Sequence, residues 1–323
     1  MQQGTFRNLV DMAAYGGPGW APRCPRLRDE LGTLWSPQHV CTEWEPLRAV
    51  LLHRPGQELE LLGDPDLLQM ADRPDPVRLR EEIDQLAEVY RNNGVAVHWV
   101  EPEGDAPPNL VFCRDIFAMT PEGAIVSRMA SRVRAGEERY VARRLAALGV
   151  PILLTVRGPG TFEGAAELLW VDRQTVLLSQ GLRTNAEGAR QVESLLQSAG
   201  IEVHRAGLPV GAMHLLGTLN FIGPDLALAW PGCTPYAAIA LLRARGFRIL
   251  FLPSAVEREV GMALNFVTLR RNRVLMPAGC PQTRELLESA GVECLELAVP
   301  ELIKAEGAIA CATGVLWRER EVG

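Results

Sequence analysis

Hydrophobic and polar positions along the chain alternate between two periods, and the alternation repeats. Short apolar runs rich in β-formers occur at Ala49–Leu52, Ala124–Ser127, Val176–Ser179, Leu226–Ala229 and Val274–Pro277. Each is followed by a stretch of helical period, such as Ala186–Ala199, where Val192, Leu195 and Leu196 share one stripe, or Thr283–Ala290. Each such stretch stops at a glycine (Gly94, Gly149, Gly200, Gly246, Gly291), and a second short apolar run follows. The first runs start 75, 52, 50 and 48 residues apart, which predicts five strand–helix–strand units between residue 46 and about residue 300. Five units that cannot bury their apolar faces singly must stack as a solenoid or close as a ring. With no polar capping repeat at either end, the pattern favours a closed ring of α/β class.

Residues 1–45 break this pattern. They are rich in Gly, Pro and Trp, as in Tyr15-Gly-Gly-Pro-Gly-Trp20, and are expected to form a loop-rich arm on the domain or over its mouth. No linker divides the rest, so 1–323 reads as a single catalytic domain. Composition narrows the function classes. The 33 basic and 39 acidic residues give a net charge of −6, which argues against nucleic acid or a membrane surface as partner. No apolar run approaches the roughly 18 residues of a spanning helix, and Met1–Trp20 lacks the succession of a signal peptide, so a cytoplasmic location is expected. The seven cysteines show neither CxxC nor zinc spacing, so free thiols and no metal or other cofactor are expected. A homo-oligomer is compatible with this composition.

Chemistry collects after each outgoing strand. Counted from the residue after the glycine stop, Asp115 lies 20 residues beyond Val95, Glu163 lies 13 beyond Val150, His214 lies 13 beyond Ile201, and Cys311 lies 19 beyond Val292. In a closed ring, equivalent segments face one axis, so a nucleophile, a base and two carboxylates converge. Each residue alone has a plainer reading: Cys311 as a small buried hydrophobe, His214 as a satisfied core imidazole, Asp115 as the partner of Arg114. Glu163, set among small and aromatic residues, requires a cationic partner.

Phe112-Cys-Arg-Asp115, Phe162-Glu-Gly, Gly181-Leu-Arg-Thr-Asn-Ala-Glu-Gly188, Met213-His-Leu and Gly307-x-x-x-Cys311 together resemble the guanidine-modifying enzymes of the pentein fold. That superfamily holds dimethylarginine dimethylaminohydrolases, arginine deiminases and amidinotransferases, and the resemblance runs from about residue 46 to residue 317. It implies a five-bladed pseudo-symmetric α/β propeller, in agreement with the ring read from the repeat. It also implies Cys311 as nucleophile, His214 as general acid and base, and Glu163 and Asp115 as carboxylates gripping a guanidinium. Arg183 and Arg134 resemble the arginines that hold the substrate's α-carboxylate in the dimethylarginine hydrolases, which implies a small guanidino substrate of amino-acid type. Asn265, in the fourth unit's axial segment, is read as positioning backbone.

Departures from the pattern limit what is implied. Leu216 stands where deiminases and amidinotransferases usually have an Asp on a guanidino nitrogen, which tilts the expectation toward a substituted guanidine. Ala165-Ala166 replace the usual Gly-Asp, with Glu167 as compensation only if the register shifts, and Ala308 and Ala312 replace a glycine and a bulkier residue. The leading expectation is a cysteine hydrolase that passes through a Cys-thiouronium and yields a ureido product such as citrulline. An amidinotransferase and a non-catalytic pentein binding protein stand as alternatives.

Overall fold

The computed structural model describes residues 8–60, 63–104, 106–320. Its fifteen strands form five three-stranded sheets, one per predicted unit: β15-β1-β2, β3-β4-β5, β6-β7-β8, β9-β10-β11 and β12-β13-β14. The central strands are β1 (Leu47–His53), β4 (Ala124–Val126), β7 (Thr175–Gln180), β10 (Leu226–Ala229) and β13 (Arg273–Pro277). Each pairs in parallel with an outer strand: β2 (Ala96–Val100), β5 (Ile152–Thr155), β8 (Glu202–Gly207), β11 (Arg248–Phe251) and β14 (Glu293–Leu297). A helix makes each crossover, from Pro76–Asn92 in the first unit to Pro281–Ser289 in the last. All five predicted glycine stops adopt positive φ, between 72° and 84°, which ends each helix at low steric cost.

The third strand of each sheet was not legible in the pattern. β3 (Phe117–Met119), β6 (Leu168–Asp172), β9 (Leu219–Gly223), β12 (Val267–Arg270) and β15 (Gly314–Arg318) pair antiparallel with the central strands. They line the axis and are almost wholly buried, so they show no alternation of polar and apolar positions. The last one closes the ring. β15 pairs with β1 at Val50↔Val315 and Leu51↔Gly314, completing the first sheet from the far end of the chain. The first interval of 75 residues is long because residues 54–75, with two short 3-10 turns, precede the first helix.

Each inner strand starts just after a candidate site segment and runs toward its hairpin, so the site segments share one end of the ring. The N-terminal arm occupies the other. Ser36 N donates to Gly149 O, Val40 N to Thr120 O, and Arg318 N to His39 O. Trp44 packs on Phe221 and Phe247, and the Arg318 guanidinium donates to Glu45 O and Thr268 O at 2.7 and 2.8 Å. The arm therefore seals the end opposite the site instead of covering its mouth; apolar surface around Trp44 and buried charge at Glu43 and Glu45 dictate that placement. Tyr15 and Trp20 stay exposed, while Met1–Arg7 lie outside the described residues. Among the described residues no helix is long and apolar enough to cross a membrane, and all seven cysteines are free.

Candidate active site

The five axial segments bring the predicted residues to one end of the ring. Asp115 ends a 3-10 turn, Cys113–Asp115, and its carbonyl accepts from Ser127 Oγ at 2.8 Å. Glu163 caps the four-residue turn Gly164–Glu167. Gly164 has φ 54°, and a Cβ there would sit 2.7 Å from Asp115 O and Arg114 O, so only glycine lets the two carboxylate-bearing segments touch. His214 precedes the turn Leu215–Gly217, and Cys311 lies inside the short turn Ile309–Ala312.

Charge is concentrated on one side. Glu163 is fully buried, and its Oε2 lies 2.7 Å from His214 Nε2 and 3.3 Å from Arg183 Nη1, while its Oε1 accepts from Ala130 N at 3.1 Å. Arg134 donates to Asp115 Oδ2 at 2.6 Å and forks onto Glu137, with its Nη2 2.8 Å from Oε2. The predicted need of Glu163 for a cation is thus met three ways, by His214, Arg183 and Arg134, the last at 3.8 Å. Asp115 pairs with Arg134 and not with its neighbour Arg114, which reaches Glu43 of the arm and Ala165 O. Asp115 Oδ1 is buried and has no hydrogen-bond partner. A donor arriving from the site would satisfy it.

These neighbours set the protonation states. Burial works against charge on Glu163, but His214, Arg134 and Arg183 outweigh it and hold the carboxyl well below its ordinary range. Burial likewise lowers His214, yet Asp115, Glu163 and Glu167 raise it overall, so the carboxylates around it favour the charged imidazolium. Glu137 is pushed up to about 7 by burial, against the pull of Arg134. The Cys311 thiol is pushed up to about 11, first by burial and then by Asp115, while Asn265 and Arg134 pull it down. Cys311 is therefore a thiol at neutral pH.

Asn265 does more than the backbone positioning expected of it. Its amide donates to Cys311 Sγ at 2.9 Å and accepts from Cys311 N at 3.0 Å, so it fixes the Cys311 side chain and backbone together. Its sequence signal was its place in the fourth unit's axial segment. Glu137 had no such signal, since it opens a helix and looks like an ordinary N-terminal carboxylate. Glu167 is buried behind the site, where its Oε2 accepts from Leu215 N at 3.3 Å and from Ser179 Oγ, so it does not stand in for the missing Asp.

Asp115, Glu163 and His214 present ligating atoms within 4.8 Å of one another, the one such cluster among the described residues. The set fits a cation, and the unpaired Asp115 oxygen suits an N–H donor. Beside this cluster lies a cavity of about 230 Å³, whose wall includes Cys311, His214, Leu216, Met262 and Asn265.

A family model described as eukaryotic N,N dimethylarginine dimethylhydrolase matches residues 76–317, which spans all five axial segments. The chain belongs to that family. Dimethylarginine dimethylaminohydrolases from Streptomyces coelicolor and Pseudomonas aeruginosa are 30% and 26% identical to it, over 72% and 74% of this chain and 83% and 89% of theirs. In structure, the Pseudomonas aeruginosa dimethylarginine dimethylaminohydrolase solved with citrulline covers 84% of this chain and 100% of its own, with a TM-score of 0.69 and 23% identity. An amidinotransferase from Microseira wollei covers 89% and 99%, with a TM-score of 0.72 and 17% identity. Both likenesses show the same fold, one within the family and one outside it. As a member of the dimethylarginine dimethylaminohydrolase family, the protein is a guanidino-modifying C–N hydrolase of the pentein superfamily.

Proposed function

We propose that the protein hydrolyses the guanidino group of arginine or an Nω-substituted arginine, releasing ammonia or an amine and citrulline. The observation that carries this reading is the unpaired, buried Asp115 oxygen beside Glu163 and His214, on the same end of the ring as a nucleophile clamped by Asn265. A guanidinium is planar and cationic, and two fixed carboxylates orient it by charge-assisted hydrogen bonds. On entering, it takes Asp115 and Glu163 from Arg134 and Arg183. Each arginine is then free to turn a donor to the substrate's α-carboxylate, and Arg134 stays anchored on Glu137.

The same cation lowers the Cys311 thiol from its high resting value by opposing the field of Asp115. The thiol gives up its proton to solvent, and the thiolate adds to the central guanidino carbon. The C–N bond to the leaving nitrogen breaks as His214, already protonated beside Glu163, transfers its proton to that nitrogen. A thiouronium on Cys311 remains. Water, deprotonated by His214, adds to the same carbon, the C–S bond breaks, and the ureido product leaves with Cys311 regenerated. The test is incubation with arginine and with Nω-methylated arginines, with and without an amine acceptor, followed by mass spectrometry of products and enzyme. Citrulline formed without acceptor supports hydrolysis; an adduct on Cys311 that discharges only to added amine overturns it in favour of amidino transfer.

A further inference from the structure

The wall of the cavity beside Cys311 is built unevenly. His214 and Cys311 form its reactive edge; beyond them the apolar part of the wall comes from Ala166, Leu216, Met262 and Leu264, and Arg258, Glu259 and Glu306 also border it. Arg134 and Arg183 do not border it; they pair with Asp115 and Glu163 from the second and third units. The nitrogen that leaves must face the group that protonates it, and His214, held on Glu163 through Nε2, borders this cavity together with Cys311. Leu216 offers that nitrogen no acceptor, which removes the contact that would favour an unsubstituted NH2 group.

Size is the deciding quantity. At about 30 Å³ for each water-sized group, a dimethylamino group fills roughly 90 Å³. The cavity measures about 230 Å³. An apolar cavity of about 150 Å³ is enough to hold a benzene ring. Backbone strain is located at the same place: of the four non-glycine residues with left-handed φ among the described residues, Met262 (51°) and Glu306 (66°) both border this cavity. Such conformations cost about 1–3 kcal/mol each and gather at ligand sites.

We propose that this cavity is a leaving-group chamber for an apolar Nω-substituent larger than methyl, of alkyl or aryl type up to about benzyl size. The inference rests on the hydrolase reading above. The reaction stays balanced as before: the bond between the guanidino carbon and the substituted nitrogen breaks, His214 supplies the proton, and the substituent departs as its primary amine.

The test is a series of arginine, Nω-methylarginine, Nω-propylarginine and Nω-benzylarginine, with citrulline and the released amine both quantified. The expected result is a kcat/KM for the benzyl compound at least equal to that for the methyl compound. Ala166→Leu, which fills the chamber from its floor, should lower the benzyl-to-methyl ratio at least tenfold. Met213→Trp, at a half-exposed position on the same wall, provides a second filling that does not disturb the core. Turnover of the methyl but not the benzyl compound by the unaltered enzyme, or a ratio unmoved by both fillings, overturns the proposal and leaves the hydrolase reading intact. A KM raised for every member by Arg258→Ala, with the ratio unmoved, assigns the cavity to the amino-acid end and also overturns it. Citrulline from none of the series defeats the hydrolase reading itself, and the chamber with it.

Discussion

The two halves of the site differ in how far their side chains are already committed. Around Asp115 and Glu163, every cation has a carboxylate and nearly every polar atom a partner, in a space where charges are buried. Around Cys311 the wall mixes Ala166, Leu216, Met262 and Leu264 with a few polar side chains, the thiol is held by one amide, and a cavity adjoins it. Under the proposed function the difference is a division of labour: the charged half exchanges partners when a guanidinium arrives, and the other half selects what is attached to it. Buried ion pairs that are broken without replacement cost about 3–5 kcal/mol, so exchange by an incoming zwitterion is feasible where plain loss is not.

The comparison breaks most visibly at the reacting atoms. Cys311→Ser and His214→Ala should each lower kcat by at least about a thousandfold. Their thermal unfolding should differ, because only His214 is part of the buried charge network. Equal activity to the unaltered enzyme in either variant would remove that residue from the chemistry. Glu163→Gln should come next. It removes the carboxylate shared by His214 and Arg183, so it should lower kcat/KM by about two orders of magnitude and stability by about 3–5 kcal/mol, read by steady-state kinetics and denaturant titration. An unchanged denaturation midpoint would mean that the charged half is not interlocked.

On the other half, Asn265→Ala should lower kcat about tenfold while leaving stability nearly unchanged. It should also move the thiol's titration, followed by iodoacetamide alkylation, to higher pH, since Asn265 pulls the Cys311 value down. Alkylation with an unmoved pH profile contradicts the clamp. Leu216→Asp should shift preference toward unsubstituted arginine by roughly tenfold relative to Nω-methylarginine, and a shift in the other direction contradicts the apolar half's role.

The smallest effect is the dependence of stability on pH. The folded value of His214 is raised from 6.5, so its contribution is full below that pH and is lost as pH rises through the folded value. Glu163 is lowered from 4.5 to about 2, so its contribution is present above pH 4.5 and is lost as pH falls toward 2. The difference in unfolding free energy between the unaltered chain and His214→Gln should therefore be largest between these limits and shrink on both sides. A difference that keeps growing toward pH 8 would show that the pair is not ionic.

Local periodicity and glycine stops determined the five units by themselves, because each strand, helix and stop is written in contiguous residues. The repeat then determined which segments face the axis, which is why Asp115, Glu163, His214 and Cys311 were legible from offsets alone. Tertiary structure decided the rest. The inner strands are too short and too buried to show a period, and closure depends on β15 meeting β1 across nearly the whole chain. The arm's side of the ring was settled by Trp44, Glu43 and Glu45 finding partners in distant units. Arg134 and Arg183 were legible by resemblance, but their resting pairs were not, since buried charges pair by distance in space and not by order in sequence. The cavity beside Cys311 was equally hidden: an empty volume is bounded by residues from several units and is encoded by none of them singly.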